Sequence, residues 1–150
     1  MSASAARRAP PPLDARVHVA ASPETVFALW ADAPSWPDWD PGLERAALEG
    51  PFADGSEGRL KAHGAPPTTI VLSDVRPARA FTATARLPLC RLVFEHVVEP
   101  VGDGCRVRHA IRFEGVLAPL FRRLLGATFE RDLPLTLAGL KAAAEARGGA

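Results

Sequence analysis

Residues 90–114 read CRLVFEHVVEPVGDGCRVRHAIRFE. Two strictly alternating runs, Cys90–Glu99 and Cys105–Glu114, flank Val101-Gly102-Asp103-Gly104, a loop made of the residues that tight hairpin turns require. A two-residue loop and a four-residue loop both pair residues whose numbers sum to 205, whereas a G1 bulge at Gly104 would shift the register. The unshifted register sets Glu99 opposite Arg106 and Arg91 opposite Glu114 on one face, opposite-charge pairs that favour it. On the other face it sets Phe94 opposite Ile111, Val98 opposite Val107 and His96 opposite His109. Counted from the turn, the last is a non-hydrogen-bonded pair with Cα atoms about 4.5 Å apart. That second face carries Leu92, Phe94, Val98, Val107, Ile111 and Phe113, so it is the inner one.

Beyond Gly115 the period changes to 3.6. Leu117, Leu120, Phe121, Leu124, Leu125, Thr128, Phe129, Leu133, Leu137 and Leu140 form one broad stripe, which predicts a single long helix ending at Arg147-Gly148-Gly149 and bent by Pro134. Upstream of the hairpin, residues 44–86 break into four short runs bounded by Gly and Pro, a meander of four antiparallel strands. Residues 15–20 alternate as a half-buried strand, with His18 outward; His63 is outward on its own strand. Ser22-Pro23-Glu24 then reads as a helix N-cap, a first-turn proline and a first-turn acid. The short helix so begun runs to about Ala31, and Pro34, Pro37 and Pro41 leave room for one further turn.

The order is strand, two short helices, six strands and a long helix, an α+β domain whose single seven-stranded antiparallel sheet curls around its C-terminal helix. One helix about 10–12 Å across does not fill such a concavity, so unfilled volume between helix and sheet is expected. Residues 1–12 are expected to be a disordered tail and residues 13–147 a single ligand-binding domain.

Composition narrows the function. The chain has 150 residues, 18 Lys plus Arg against 17 Asp plus Glu and a formal charge of +1, so no electrostatic footprint for nucleic acid is present. No stretch reaches the roughly 18 apolar residues of a membrane span, and the N-terminus lacks the apolar core of a secretion signal. No stable membrane insertion and a cytoplasmic location are expected; the oligomeric state is left open. Cys90 and Cys105 match no zinc or redox motif, and along strand six about 33 Å separate Cys90 from Pro100, the residue opposite Cys105, so no disulfide joins them.

The residues Ala21-Ser22-Pro23-Glu24-Thr25-Val26-Phe27-Ala28-Leu29-Trp30, then Trp36-Pro37-Asp38-Trp39-Asp40-Pro41, resemble the opening signature of the START-like (SRPBCC) superfamily, including its polyketide cyclase/dehydrase branch. Glu95-His96, Glu99-Pro100, the Gly102–Val107 turn, His109 and Phe113-Glu114-Gly115 are similar to that family's last hairpin. The resemblance spans residues 13–147. It implies a helix-grip fold and a deep cavity for a hydrophobic small molecule such as a lipid, polyketide, quinone or sterol-like compound, with no cofactor. The members of that superfamily include both carriers and enzymes.

The ligand-facing set expected from the sheet and short helices is Trp30, Trp39, Phe81, Phe94, His96, His109, Ile111 and Phe113. The long helix is expected to add Leu117, Phe121, Leu124 and Thr128, with Arg122 and Arg123 on its wet side. Two imidazoles side by side in an apolar concavity oppose each other's charged form, leaving a neutral ring able to accept a proton. They either polarise the pocket or serve as general base. A metal site lacks a third inner-face ligand. A binding protein needs only the fold; a polyketide aromatase/cyclase needs His96 or His109 to remove a proton for aldol closure. A third class, an interaction module, would use the outward Val93, Val97 and Ala110.

Overall fold

In the computed structural model, residues 12–148 are described, so the tail expected over residues 1–12 lies outside the described residues apart from Pro12. Local chemistry sets the first elements. After β1 (Leu13–Val19), the Ser22 hydroxyl accepts from the Thr25 N–H at 3.1 Å and Pro23 takes the first turn of α1 (Pro23–Ala31). A 3-10 turn (Ala33–Ser35) and α2 (Trp36–Trp39) follow, tied back by the Trp36 Nε1–H, which donates to the Trp30 carbonyl at 2.9 Å.

The meander is β2 (Leu43–Glu49), β3 (Glu57–Ala62), β4 (Thr68–Arg76) and β5 (Ala80–Leu87), leading into the hairpin β6 (Cys90–Val101) and β7 (Gly104–Glu114). The strands form one seven-stranded sheet in the order β1-β7-β6-β5-β4-β3-β2, antiparallel throughout. Val101 pairs with Gly104 and Arg91 with Glu114, so the hairpin is unbulged and every pair sums as the charge pattern requires. Gly102, the first central residue of the loop, has a φ of +60°, where type II′ turns place glycine.

The outer face of the hairpin carries a lattice of ion pairs. Arg91 reaches Glu114 at 3.0 Å, Arg106 reaches Glu99 at 3.2 Å, Arg112 bridges Glu95 and Glu114, and Arg108 reaches Asp14 on β1. Each pair adds little stability in water. Val93 and Ala110 on this face are only 6% and 1% exposed, so the outward apolar patch expected there shrinks to Val97.

The last element, α3 (Ala118–Gly148), contains Pro134 and runs back along β7 toward the start of the chain. Its C-terminal half closes tightly. Lys141 Nζ donates to the His18 carbonyl, Glu145 accepts from the Ala20 N–H at 2.8 Å, and Gly139 approaches the Trp39 carbonyl so closely that a Cβ there would collide with it. Leu133, Leu137, Leu140 and Ala144 are all buried against the sheet. No helix among the described residues is long and apolar enough to cross a membrane.

The apolar stripe of α3 is narrower than its sequence suggests. Ala118 and Gly126 continue the buried line toward the helix N-terminus with Phe121, Leu125 and Phe129 half-buried beside them, while Leu120, Leu124 and Thr128 are exposed. Leu124 is 63% exposed and Thr128 is also on the solvent side, which corrects their expected place beside a ligand. Leucines at both i+3 and i+4 spacing widened the apparent face, but a helix against a curved sheet buries only one strip of it.

Candidate functional site

Inner-face alternation brings Phe94 and His96 of β6 into line with His109, Ile111 and Phe113 of β7, and the β5–β6 pairing adds Phe81 opposite His96. The two imidazole centroids lie 4.5 Å apart. Phe81 stacks on His96 at 3.9 Å and 7°, and Trp30 of α1 stands over both histidines, 5.7 Å from His96 and 6.0 Å from His109. Phe52, from the β2–β3 loop, completes the cluster with edge contacts to Phe27 and Phe81. The histidines are therefore set in an aromatic cluster, and rings pack closely at their level of the concavity.

The proton positions follow from the neighbours. His96 Nδ1 lies 3.3 Å from the Phe81 carbonyl, which only accepts, so the proton sits on Nδ1 and Nε2 is left as an acceptor. Desolvation among the rings pushes the His96 pKa down to about 4, against the weaker opposing effect of the backbone hydrogen bonds. His109, 4% exposed, is pushed well below its ordinary value by burial first and by His96 second. Both rings are neutral at pH 7. Two ring nitrogens in the cluster are buried without a hydrogen-bond partner, His109 Nε2 and the Nε1–H donor of Trp30. An unpaired buried polar atom costs about 1–3 kcal/mol, so these two favour any group that both accepts and donates.

Toward its N-terminus the large side chains of the helix are less completely covered. Leu117, Phe121, Leu125 and Phe129 of α3 are half-buried, as are Phe94 and His96 across from them, whereas residues of the same helical stripe beyond Leu133 are closed to solvent. Phe129 meets Phe94 edge-on at 5.9 Å and Phe113 at 6.1 Å, so helix and sheet touch here.

Apart from the exposed Leu124 and Thr128, most of the expected residues fall into two groups. Trp30, Phe81, His96 and His109 form the cluster; Phe94, Leu117 and Phe121 are half-buried where the N-terminal half of α3 meets β6 and β7, and Ile111 and Phe113 are buried beneath them. Trp39 belongs to neither. It lines a separate concavity of about 600 Å³ with Pro37, Leu135 and Gly139, beside Asp40, which accepts from Thr136 and Gly42 and whose pKa burial raises. A second concavity, about 590 Å³, lies where Pro34 and Pro37 meet β2 and β3. Among the described residues no group of three or more His, Cys, Asp or Glu is placed to hold a metal ion. Cys90 and Cys105 are both buried as free thiols.

Sequence reasoning passed over Phe52, Leu125 and Phe129 as site residues. The 121–125–129 spacing is the i+4 ridge that separates Phe129 from Thr128 and could have found it. Phe52 sits in a loop, where no periodicity exists to read.

The fold is shared with several solved structures. A protein of Thermus thermophilus, TTHA0849, superposes with a TM-score of 0.71 at 17% identity, over 91% of this chain and 99% of that one. The Zhui aromatase/cyclase from Streptomyces sp. R1128 gives 0.70 at 20%, over 91% and 94%. The di-domain ARO/CYC StfQ of the steffimycin biosynthetic pathway gives 0.72 at 18% over 93% of this chain, which spans 52% of StfQ. No curated protein matches the sequence. A family model described as polyketide cyclase / dehydrase and lipid transport matches residues 12–145. With nearly the whole domain matched and the sheet and helix arranged as in those structures, the chain belongs to the polyketide cyclase / dehydrase and lipid transport family.

Proposed function

We propose that the protein binds a hydrophobic or aromatic small molecule in the gap between the N-terminal half of α3 and strands β6 and β7. The observation that carries this reading is the change in burial along one helical stripe. On that stripe Leu133, Leu137 and Leu140 are closed to solvent, whereas the large side chains before them, Phe121, Leu125 and Phe129, are half-open around the buried small residues Ala118 and Gly126, beside a half-open Phe94 and His96. Apolar side chains left in contact with solvent inside a concavity are what a hydrophobic ligand covers, at roughly 25 cal/mol per Å². The neutral His96 Nε2, His109 Nε2 and Trp30 N–H at the inner end suit a hydroxyl or carbonyl of that ligand.

The test is fluorescence titration with an uncharged aromatic probe, 2-naphthamide, against the wild type and Leu125→Trp, which fills the gap from the helix side. Saturable one-to-one binding that Leu125→Trp weakens tenfold or more, with the far-ultraviolet circular dichroism unchanged, supports the reading. Equal binding by both proteins moves the site elsewhere, and no binding by either overturns it.

A second reading, an aromatase/cyclase, draws on the same neutral imidazole pair and on the two aromatase/cyclases among the structures of similar fold. In it His96 or His109 takes an α-proton from a poly-β-ketone, and the resulting enolate carbon attacks a carbonyl of the same chain. A pKa of about 4 makes His96 a weak base, and the chain has no Tyr to supply a phenol donor, so binding without turnover is the better-supported function. His96→Gln with His109→Gln separates the two readings. A cyclase loses turnover of a poly-β-ketone substrate by about 10² or more, whereas a binding protein changes only in affinity.

A further inference from the structure

Three arginines among the described residues are half-buried, Arg108, Arg112 and Arg122. Two of them are matched by carboxylates: Arg108 meets Asp14 at 3.0 Å, and Arg112 meets Glu95 at 3.0 Å and Glu114 at 2.9 Å. Arg122 has no carboxylate within 4.0 Å among the described residues, and its Nε is buried without a hydrogen-bond partner. Residues 1–11 contain no Asp or Glu.

Its position is not the wet side of the helix that its sequence neighbours suggest. Residue 122 falls on the same stripe as the buried Ala118, Gly126, Leu133 and Leu140, and its guanidinium folds over Gly126, where a Cβ would collide with it. A long basic side chain ordinarily carries its charge out to water, and a guanidinium Nε shut off from water is ordinarily hydrogen-bonded. Arg123, one residue on, is exposed, as that rule expects.

We propose that Arg122 is the anchor for a carboxylate, and that the ligand of the gap is a monocarboxylic acid with an apolar body. This rests on the binding reading above and adds the chemical class of ligand to it. The planar guanidinium offers paired N–H donors that match the two oxygens of a carboxylate. The Arg122 guanidinium lies over Gly126, three residues or about 4.5 Å along the helix before Phe129, so the head group is held close to the Phe94–Phe129 contact, beside which the apolar body packs.

The experiment compares 2-naphthoic acid with 2-naphthamide, which differ in charge but hardly in shape, on the wild type, Arg122→Gln and Gly126→Val. The wild type is expected to bind the acid at least tenfold more tightly than the amide. Arg122→Gln should bring the two within about twofold by losing acid affinity alone, its unchanged amide affinity showing that the gap is intact. Gly126→Val, which displaces the guanidinium without removing its charge, should narrow the difference as well. Equal wild-type affinities for acid and amide overturn the acid anchor and leave the apolar site standing. Equal loss of acid and amide in Arg122→Gln makes Arg122 a wall residue and also overturns it. Failure of both probes to bind the wild type overturns the binding reading and the anchor together.

Discussion

His96 and His109 face each other across β6 and β7 with ring centroids 4.5 Å apart, under Trp30 and against Phe81, and the burial that brings them together keeps both neutral. A neutral pair inside an aromatic cluster is a hydrogen-bonding device first, and it makes the fold sensitive to acid.

The sign of that sensitivity follows from the lowered pKa values. The unfolded chain takes up a proton at each imidazole near pH 6.5, while the folded chain resists until about 4 at His96 and until well below 6.5 at His109. Stability is therefore fully present above about 6.5 and is lost as the pH falls from there toward 4, by about 3 kcal/mol for one group so shifted. Urea unfolding of the wild type at pH 7.5 and pH 4.5 should show this loss, and His96→Gln with His109→Gln should show a clearly smaller one. Equal pH dependence in the two proteins would contradict a pair held neutral by desolvation.

Gly139 lets α3 touch the Trp39 carbonyl, and nothing larger fits. Alanine in place of glycine raises helix propensity by about 1 kcal/mol, so propensity alone predicts that Gly139→Ala stabilises the protein. The contact with α2 reverses the sign: the variant is expected to lose about 1–3 kcal/mol through overpacking. Chemical denaturation decides, and a stabilised variant would mean that the helix does not approach Trp39.

Leu140 and Leu124 look equivalent in the sequence stripe but are 0% and 63% exposed. Leu140→Ala should cost about 2–5 kcal/mol, a transfer loss plus a cavity, whereas Leu124→Ala should stay within about 0.5 kcal/mol and leave probe binding unchanged. Comparable costs for the two would place the helix in a different rotation about its axis.

The two thiols report on both ends of the hairpin. Burial is the main cause that raises the pKa of Cys90 and of Cys105, so neither offers an accessible thiolate at neutral pH. In the folded protein both should react with a disulfide reagent far more slowly than in urea, where two equivalents should react at once. Rapid reaction of either in the absence of urea would show an open end of the hairpin.

The hairpin was legible from the chain alone because two signals agreed there. The Gly102-Asp103 turn and the Glu99–Arg106 and Arg91–Glu114 pairs require the same register, and that register puts His96 beside His109. Capping at Ser22-Pro23 and the switch from period 2 to period 3.6 after Gly115 were equally local, so the element order and the α+β architecture followed from them. The tertiary structure decided what periodicity does not encode: how far the helix stands from the sheet, and which strip of it faces inward. Trp30, Phe52 and Phe81 come from a helix, a loop and a strand to fill the concavity around the histidines, and only their packing makes that level an aromatic cluster. Leu124 and Thr128 turn out to solvent, while Arg122 turns in over Gly126, because helix rotation is set by the close approach of Gly139 and by the Lys141 and Glu145 ties to β1, at the far end of the same helix.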